Sequence, residues 1–438
     1  MALTVPLAVL LLAQHVGVAA SSCVVRDGTV NAATCAGGWH PTDATAALRA
    51  ALASNASLIT VPKMAGPWIV ALGEEEGMLH ESALPMSGLS DMTIVLETGV
   101  ELQAKRGDFH SPKLGSDGKA YKGWRTLITM TACRNITIFG YGAKLTMWKS
   151  DYANPTLYNH SEFRGAVLVA DSQRVRFFGL NISSTGGDAI CLSRVEDTLI
   201  KDCALHNAYR NALSMTGGVN VTVEDSSLTA TGGTWPMCGM DLEPDYPYEK
   251  VERIVFRRVS AVGNQACGFS ISPGQLAGQP NVVGVQFIDC IASANAMSAY
   301  TFQGLHSPNI TGTVDIIGGR ISDQKSAGLT FFDKNSAGVQ VRVAAFSLPP
   351  SLSLCLSASL PLLADSVLSV SPLCCLRRCA SVGSLWWTSP CSDLTALPSV
   401  LRAIGSTHPC LPPHSTTLCI SPLIFGRQSV QRLVGRSR

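Results

Sequence analysis

From about residue 125 onward, short runs alternate apolar with small or polar residues, at 165–169, 188–192, 211–215, 239–243, 268–272, 299–303 and 328–332. Period two is the signature of a strand with one buried face. Taking Val167, Ile190, Leu213, Met240, Phe269, Tyr300 and Leu329 as one column, the intervals by subtraction are 23, 23, 27, 29, 31 and 29 residues. A second strand set lies between these runs, at 174–178, 198–201, 219–223, 253–256, 283–287 and 310–314. Two or three short strands per repeat of this length describe one coil of a solenoid, which buries its inward residues only by stacking on neighbours. A propeller would need four strands per blade and a longer, more even period. The fold class expected is therefore all-β, a right-handed parallel β-helix.

Ahead of the repeats, Thr42 and Asp43 precede residues 44–53, where Leu48 and Leu52 recur at helical spacing beside Ala47 and Ala51. This predicts a short capped amphipathic helix, placed to plug the first coil with its apolar side. Further upstream, an apolar stretch from Leu3 to Leu12 followed by Val18, Ala19 and Ala20 reads as a signal peptide over 1–20, cut near Ser21. The expected product is a secreted, extracellular monomer. Gln14 and His15 interrupt the run, so no membrane insertion is expected.

The β-helix domain is expected over 21–345, and the alternation stops there. Residues 346–438 are a Ser, Leu, Pro and Cys mixture without Lys, expected to be an irregular tail whose composition resembles translated non-coding sequence. Sequencing the transcript across Arg342 tests that origin.

Net charge is +2 over 438 residues, which gives no global field for nucleic acid or an acidic membrane surface. Eight of the fifteen cysteines precede residue 300. Cys23 with Cys35 is a plausible staple in an oxidising compartment, Cys238 and Cys267 share a column as a disulfide or a thiol stack, and no spacing suits a structural zinc site. Six Asn-x-Ser/Thr sequons occur, at Asn55, Asn135, Asn159, Asn181, Asn220 and Asn309. They read either as glycosylation sites or as turn chemistry at the start of coil strands.

Candidate chemistry lies on the outward positions of the repeats. Period two turns Asp241 and Glu243 to one face while Met240 and Leu242 point inward, with Ser214 and Ser270 flanking Asp241 on neighbouring coils stacked about 4.8 Å apart. Two outward acids on a central strand run against β-propensity. The same alignment sets Arg164 and Arg210 at one level with Asp188 between them. Asp188 follows two glycines and equally suits a turn cap.

The segment 43–48 followed by Leu58-Ile-Thr-Val-Pro62 resembles the entry of pectate-lyase-superfamily domains, and the stacked coils carry the likeness to about residue 342. Within it, Gly186-Gly-Asp188 approaches one polygalacturonase motif while the His and Lys motifs are missing, and Asp241-Leu-Glu-Pro-Asp245 is similar to the mannuronan epimerase motif only in joining acids to a proline. The resemblance implies a polysaccharide partner, one that could contain uronates. The outward columns, rather than the family motifs, make Asp188, Arg210, Asp241 and Glu243 the candidate catalytic residues, with Arg164, Tyr209, Trp235 and Lys149 as candidates for binding substrate. A hydrolase would divide acid and base roles among the three carboxyls. A lyase would take its proton with Arg210, Tyr209 or Lys149, and calcium is the one cofactor such acids could recruit. A non-catalytic carbohydrate-binding solenoid is the alternative.

Overall fold

The computed structural model describes residues 23–72, 81–110, 123–332 and 338–344, together with three backbone strands beyond them. The expected signal peptide, and the remainder of 346–438, lie outside the described residues.

Three parallel sheets wrap one core. A back sheet has eleven strands, and a lateral and a front sheet have nine each. One coil runs through Val195–Lys201 on the back, Ala204–His206 on the side and Leu213–Met215 on the front, then climbs to Gly218–Glu224. All ladders joining successive coils are parallel. The apolar column expected from spacing is in register throughout: Val167 pairs with Ile190, then Leu213, Met240, Phe269, Tyr300 and Leu329. All seven are buried. In the wider coils this column becomes aromatic, with Phe269 stacked on Tyr300 at 5.0 Å, and the back sheet answers with Phe256 on Phe287 at 5.0 Å. Each fully buried side chain of this size contributes on the order of 2–3 kcal/mol, and the regular stack makes one continuous core of them.

The back-to-lateral corner takes two residues, and its first member sits at positive φ in coil after coil: Asp202, Asp225, Arg258, Asp289 and Gly318. Asp and Gly visit this region at low cost, which explains their recurrence at this corner. At the lateral-to-front corner, buried Asn264 and Asn295 bind each other and the coils beside them. Asn264 Nδ2 donates to Asn295 Oδ1 at 2.9 Å, and Thr231 N donates to Asn264 Oδ1 at 3.1 Å. These side chains satisfy backbone groups that a bare corner would leave orphaned.

The plug helix spans Thr45–Leu52 and buries Ala47, Leu48, Ala51 and Leu52. The expected side-chain cap is corrected: the N-cap position is Ala44, which has none, and Asp43 one residue earlier accepts from Thr45 N at 3.0 Å instead. Cys23–Cys35 and Cys238–Cys267 are disulfides, whereas Cys133, Cys191, Cys203 and Cys290 are buried free thiols. Three sequon asparagines, Asn55, Asn135 and Asn220, lie at positive φ as turn chemistry expects, and the last two also bridge coils. The amides of Asn135 and Asn220 donate to Asp91 and Asp197 on the preceding coils, at 2.8 and 2.6 Å.

The tail departs from expectation in one respect. Leu354–Leu356, Cys375–Cys379 and Ser384–Thr388 form a small antiparallel sheet, where an irregular segment was expected. The run Ser384-Leu-Trp-Trp-Thr388 has the aromatic content of a strand, a local signal the composition of the whole tail hides. Among the described residues no helix is long and apolar enough to cross a membrane.

Candidate active site

On the outer face of the front sheet, one column runs through Cys191, Ser214, Asp241, Ser270 and Thr301. Asp241 thus has a serine on each side, because Met240 and Leu242 turn inward and leave it outward. Outward does not mean solvated here. Asp241 is only 3% exposed. The expectation that both acids of this strand face water is therefore corrected: Arg210, Asn211 and the two serines close over Asp241, and only Glu243, its side chain 53% exposed, reaches solvent.

Arg210 is the hub. Its Nη1 lies 3.1 Å from Asp188 Oδ2, its Nη2 3.9 Å from Asp241 Oδ2 and 3.8 Å from Glu243 Oε2, and its Nε 3.5 Å from Glu162 Oε2. Nη1 also donates to Ser214 Oγ at 3.3 Å. Burial disfavours the charged guanidinium, but Asp188, Asp241 and Glu162 more than offset this and hold it above the usual arginine range. Asp188 caps a turn, as its place after two glycines allows, and also meets Arg210. Its Oδ1 accepts from Asn211 N at 3.0 Å, capping the next coil's turn, while Oδ2 faces the arginine.

Burial pushes the Asp241 carboxyl up to about 7; Arg210 opposes this, and the Glu243 carboxylate adds to it. A carboxyl with that value beside an exposed carboxylate can hold a proton near neutral pH and give it up, which is the property required of a general acid. The Cys191 thiol, one coil from Ser214, is held protonated by burial and by the acids nearby.

Glu162 escaped the sequence reading. It does not belong to any coil column but arrives on the strand Phe163–Arg164, which pairs antiparallel with Gly186–Gly187. A Cβ on Gly187 would collide with the Glu162 carbonyl, so the glycine pair is what lets this segment cross the front sheet. Gly186-Gly187 was the available signal, since adjacent glycines inside a strand pattern mark a close backbone approach.

Arg164 is corrected as a substrate ligand. It is fully buried, donates from Nε to Phe109 O at 2.8 Å and from Nη2 to Asn159 O at 2.8 Å, and lies over the rings of Tyr152 and Tyr158 at 5.5 and 5.2 Å. Antiparallel pairing with Gly186 reverses the chain direction on which the expected alignment with Arg210 depended. Lys149 is half-buried on the short helix Lys149–Tyr152. Its ammonium donates to Asn207 Oδ1 at 2.9 Å and Ala208 O at 3.1 Å, and burial lowers it to about 8. Tyr209 is half-buried against His160 and packs where only a glycine, Gly233, leaves room. Trp235 stands 63% exposed on the loop leading into Met240–Leu242.

Among the described residues no three His, Cys, Asp or Glu side chains are arranged to hold a metal ion. Four acids do converge, but the cation at their centre is the Arg210 guanidinium.

Residues 154–342 match a family model described as a right handed beta helix region. The fold is a right-handed parallel β-helix. No curated protein matches the chain. Among solved structures it is similar to the periplasmic alginate epimerase AlgG, at 11% identity over 74% of this chain and 79% of that one with a TM-score of 0.37. Pectate lyase Pel9A is similar at 13% identity over 63% and 70%, with a TM-score of 0.38. A mutant tailspike protein of E. coli bacteriophage HK620 is similar at 13% identity over 74% and 58%, with a TM-score of 0.48.

Proposed function

We propose that this protein is a secreted glycoside hydrolase that cleaves a polysaccharide on the front face of its β-helix. The observation that carries the reading is an unlike pair at the end of one strand: Asp241 within Met240–Leu242, whose carboxyl is pushed up to about 7, and exposed Glu243 just beyond it, both facing the same arginine nitrogen. Asp241 is the general acid that protonates the departing glycosidic oxygen. Glu243 is the second carboxylate, acting on the sugar or on a water. Arg210 and Asp188 are positioning residues that fix the pair and balance its charge.

A lyase has less support. Arg210 is held charged by its acids and cannot accept a proton, and the Lys149 ammonium is engaged by Asn207 and the Ala208 carbonyl. Incubating the full-length protein with neutral and uronate polysaccharides, and reading reducing ends and unsaturated-product absorbance in parallel, tests the proposal. Reducing ends without absorbance, lost in Asp241→Asn and Glu243→Gln, are the expected result; absorbance would overturn the hydrolase reading.

A non-catalytic carbohydrate binder is the second reading, and the depth of Asp241 under its neighbours favours it. It predicts glycan binding that survives both substitutions, with no turnover to lose.

A further inference from the structure

The loop that leaves the site strand carries Glu243, Pro244, Asp245, Tyr246, Pro247 and Tyr248. Tyr246 and Tyr248 are 49% and 57% exposed, and their rings lie parallel at 5.1 Å with a 9° tilt. Exposed aromatics are usually single and mobile, whereas this pair is held by buried machinery. Glu249 is buried beneath the loop, and its Oε2 accepts from Asp245 N at 2.6 Å and Tyr246 N at 3.1 Å. Its Oε1 accepts from Thr216 Oγ1 at 2.9 Å and Arg194 Nη1 at 3.4 Å. On the other side Pro247 O accepts from Gln279 Nε2 at 2.7 Å and Asn281 Nδ2 at 2.8 Å. Two prolines fix further backbone angles. A buried carboxylate is thus committed to presenting two tyrosine rings to solvent.

We infer that Tyr246 and Tyr248 form a stacking subsite for a neutral sugar residue of the polysaccharide chain, beside the carboxylates of the cleavage site. This rests on the reading of the front face as carbohydrate-handling. Rigid aromatic rings with a hydroxyl at the rim match the apolar face and hydroxyl edge of a pyranose, and their ordering entropy is already spent in the free protein. Charge selects the sugar. Exposed Glu243 and Asp245 stand just ahead of the rings in the same loop, while its one exposed cation, Lys250, reaches Asn281 and Glu252, and Arg194 beneath the loop is engaged by Asp171 and Glu249. A uronate carboxylate there would meet like charge.

The test uses calorimetry on the full chain with hexasaccharides of β-1,4-glucose, β-1,3-glucose and β-1,4-mannose, beside oligogalacturonate and oligomannuronate. A neutral hexasaccharide is expected to bind, and Tyr246→Ala/Tyr248→Ala to bind it about tenfold more weakly or worse. Tyr246→Phe/Tyr248→Phe, which keeps the rings, should stay within about threefold of the parent. Both tyrosines are exposed, so thermal melting should be unchanged. Should the alanine variant melt early, Tyr248→Ser alone is read the same way. Equal binding by the alanine variant, preference for a uronate oligomer, no binding by any of the five, or a dimer that the alanine variant dissociates would each overturn the inference. Reducing-end release by the parent separates it from the hydrolase reading: tyrosine-dependent neutral binding without turnover in the parent sinks the hydrolase and leaves the subsite standing.

Discussion

Arg164 and Arg210 looked interchangeable along the chain, and their surroundings have almost nothing in common. The guanidinium of Arg164 is enclosed by two tyrosine rings and two backbone carbonyls. That of Arg210 is enclosed by the carboxylates of Glu162, Asp188, Asp241 and Glu243. An arginine among carbonyls and rings holds a loop in place; among carboxylates it sets their protonation as well. Burial lowers the first below the arginine range, while acids raise the second above it. On the proposed reading the acids carry the chemistry, and Arg210 acts by setting their charge.

The contrast breaks most sharply at Asp241 and Glu243. Asp241→Asn and Glu243→Gln are each expected to lower turnover by about 10²- to 10⁴-fold, the usual share of a positioned acid or base. Steady-state reducing-end assays measure it, and a loss under threefold would leave these acids without a catalytic part.

Next in size is Asp188→Ala, which strips a 1% exposed partner from Arg210 and uncaps Asn211. Urea unfolding should show a loss of about 3–5 kcal/mol, as for other buried pairs broken on one side. Arg164→Met should cost about 3 kcal/mol through two unsatisfied carbonyls and the lost ring contacts. Turnover per folded molecule should hold within about twofold, and a larger fall would restore Arg164 to the substrate path.

Asp241 also imposes a pH dependence. Its native value of about 7 lies above the ordinary 3.8, so the native state keeps a proton that the unfolded chain has already released. The stability it contributes is fully present below about pH 4 and is lost as pH rises through 7. Turnover should decline over the same upper limb as the general acid loses its proton. Asp241→Asn should flatten the stability slope between those values, and an unchanged slope would place the proton on another group. The smallest effect expected is that of a chelator. With Arg210 standing where a cation would be drawn, EDTA should leave turnover unaltered, and a clear drop restored by calcium would show that the four acids recruit a metal after all.

The sequence alone determined the solenoid. Period-two alternation places Met240 and Leu242 inside, and the 23- to 31-residue spacing aligns the column from Val167 to Leu329, because stacking is local and one-dimensional. It also marked Asp188, Arg210, Asp241 and Glu243 as neighbours on one face. Tertiary structure alone decided how deep each lies and which group reaches in from outside the columns. Glu162 arrives on an antiparallel excursion across Gly187, Arg164 turns under the surface, and Asp241 is buried among Arg210, Asn211 and its flanking serines. Strand periodicity fixes the face a side chain takes, whereas burial and charge depend on loops that obey no period, and those loops set the chemistry of the acids.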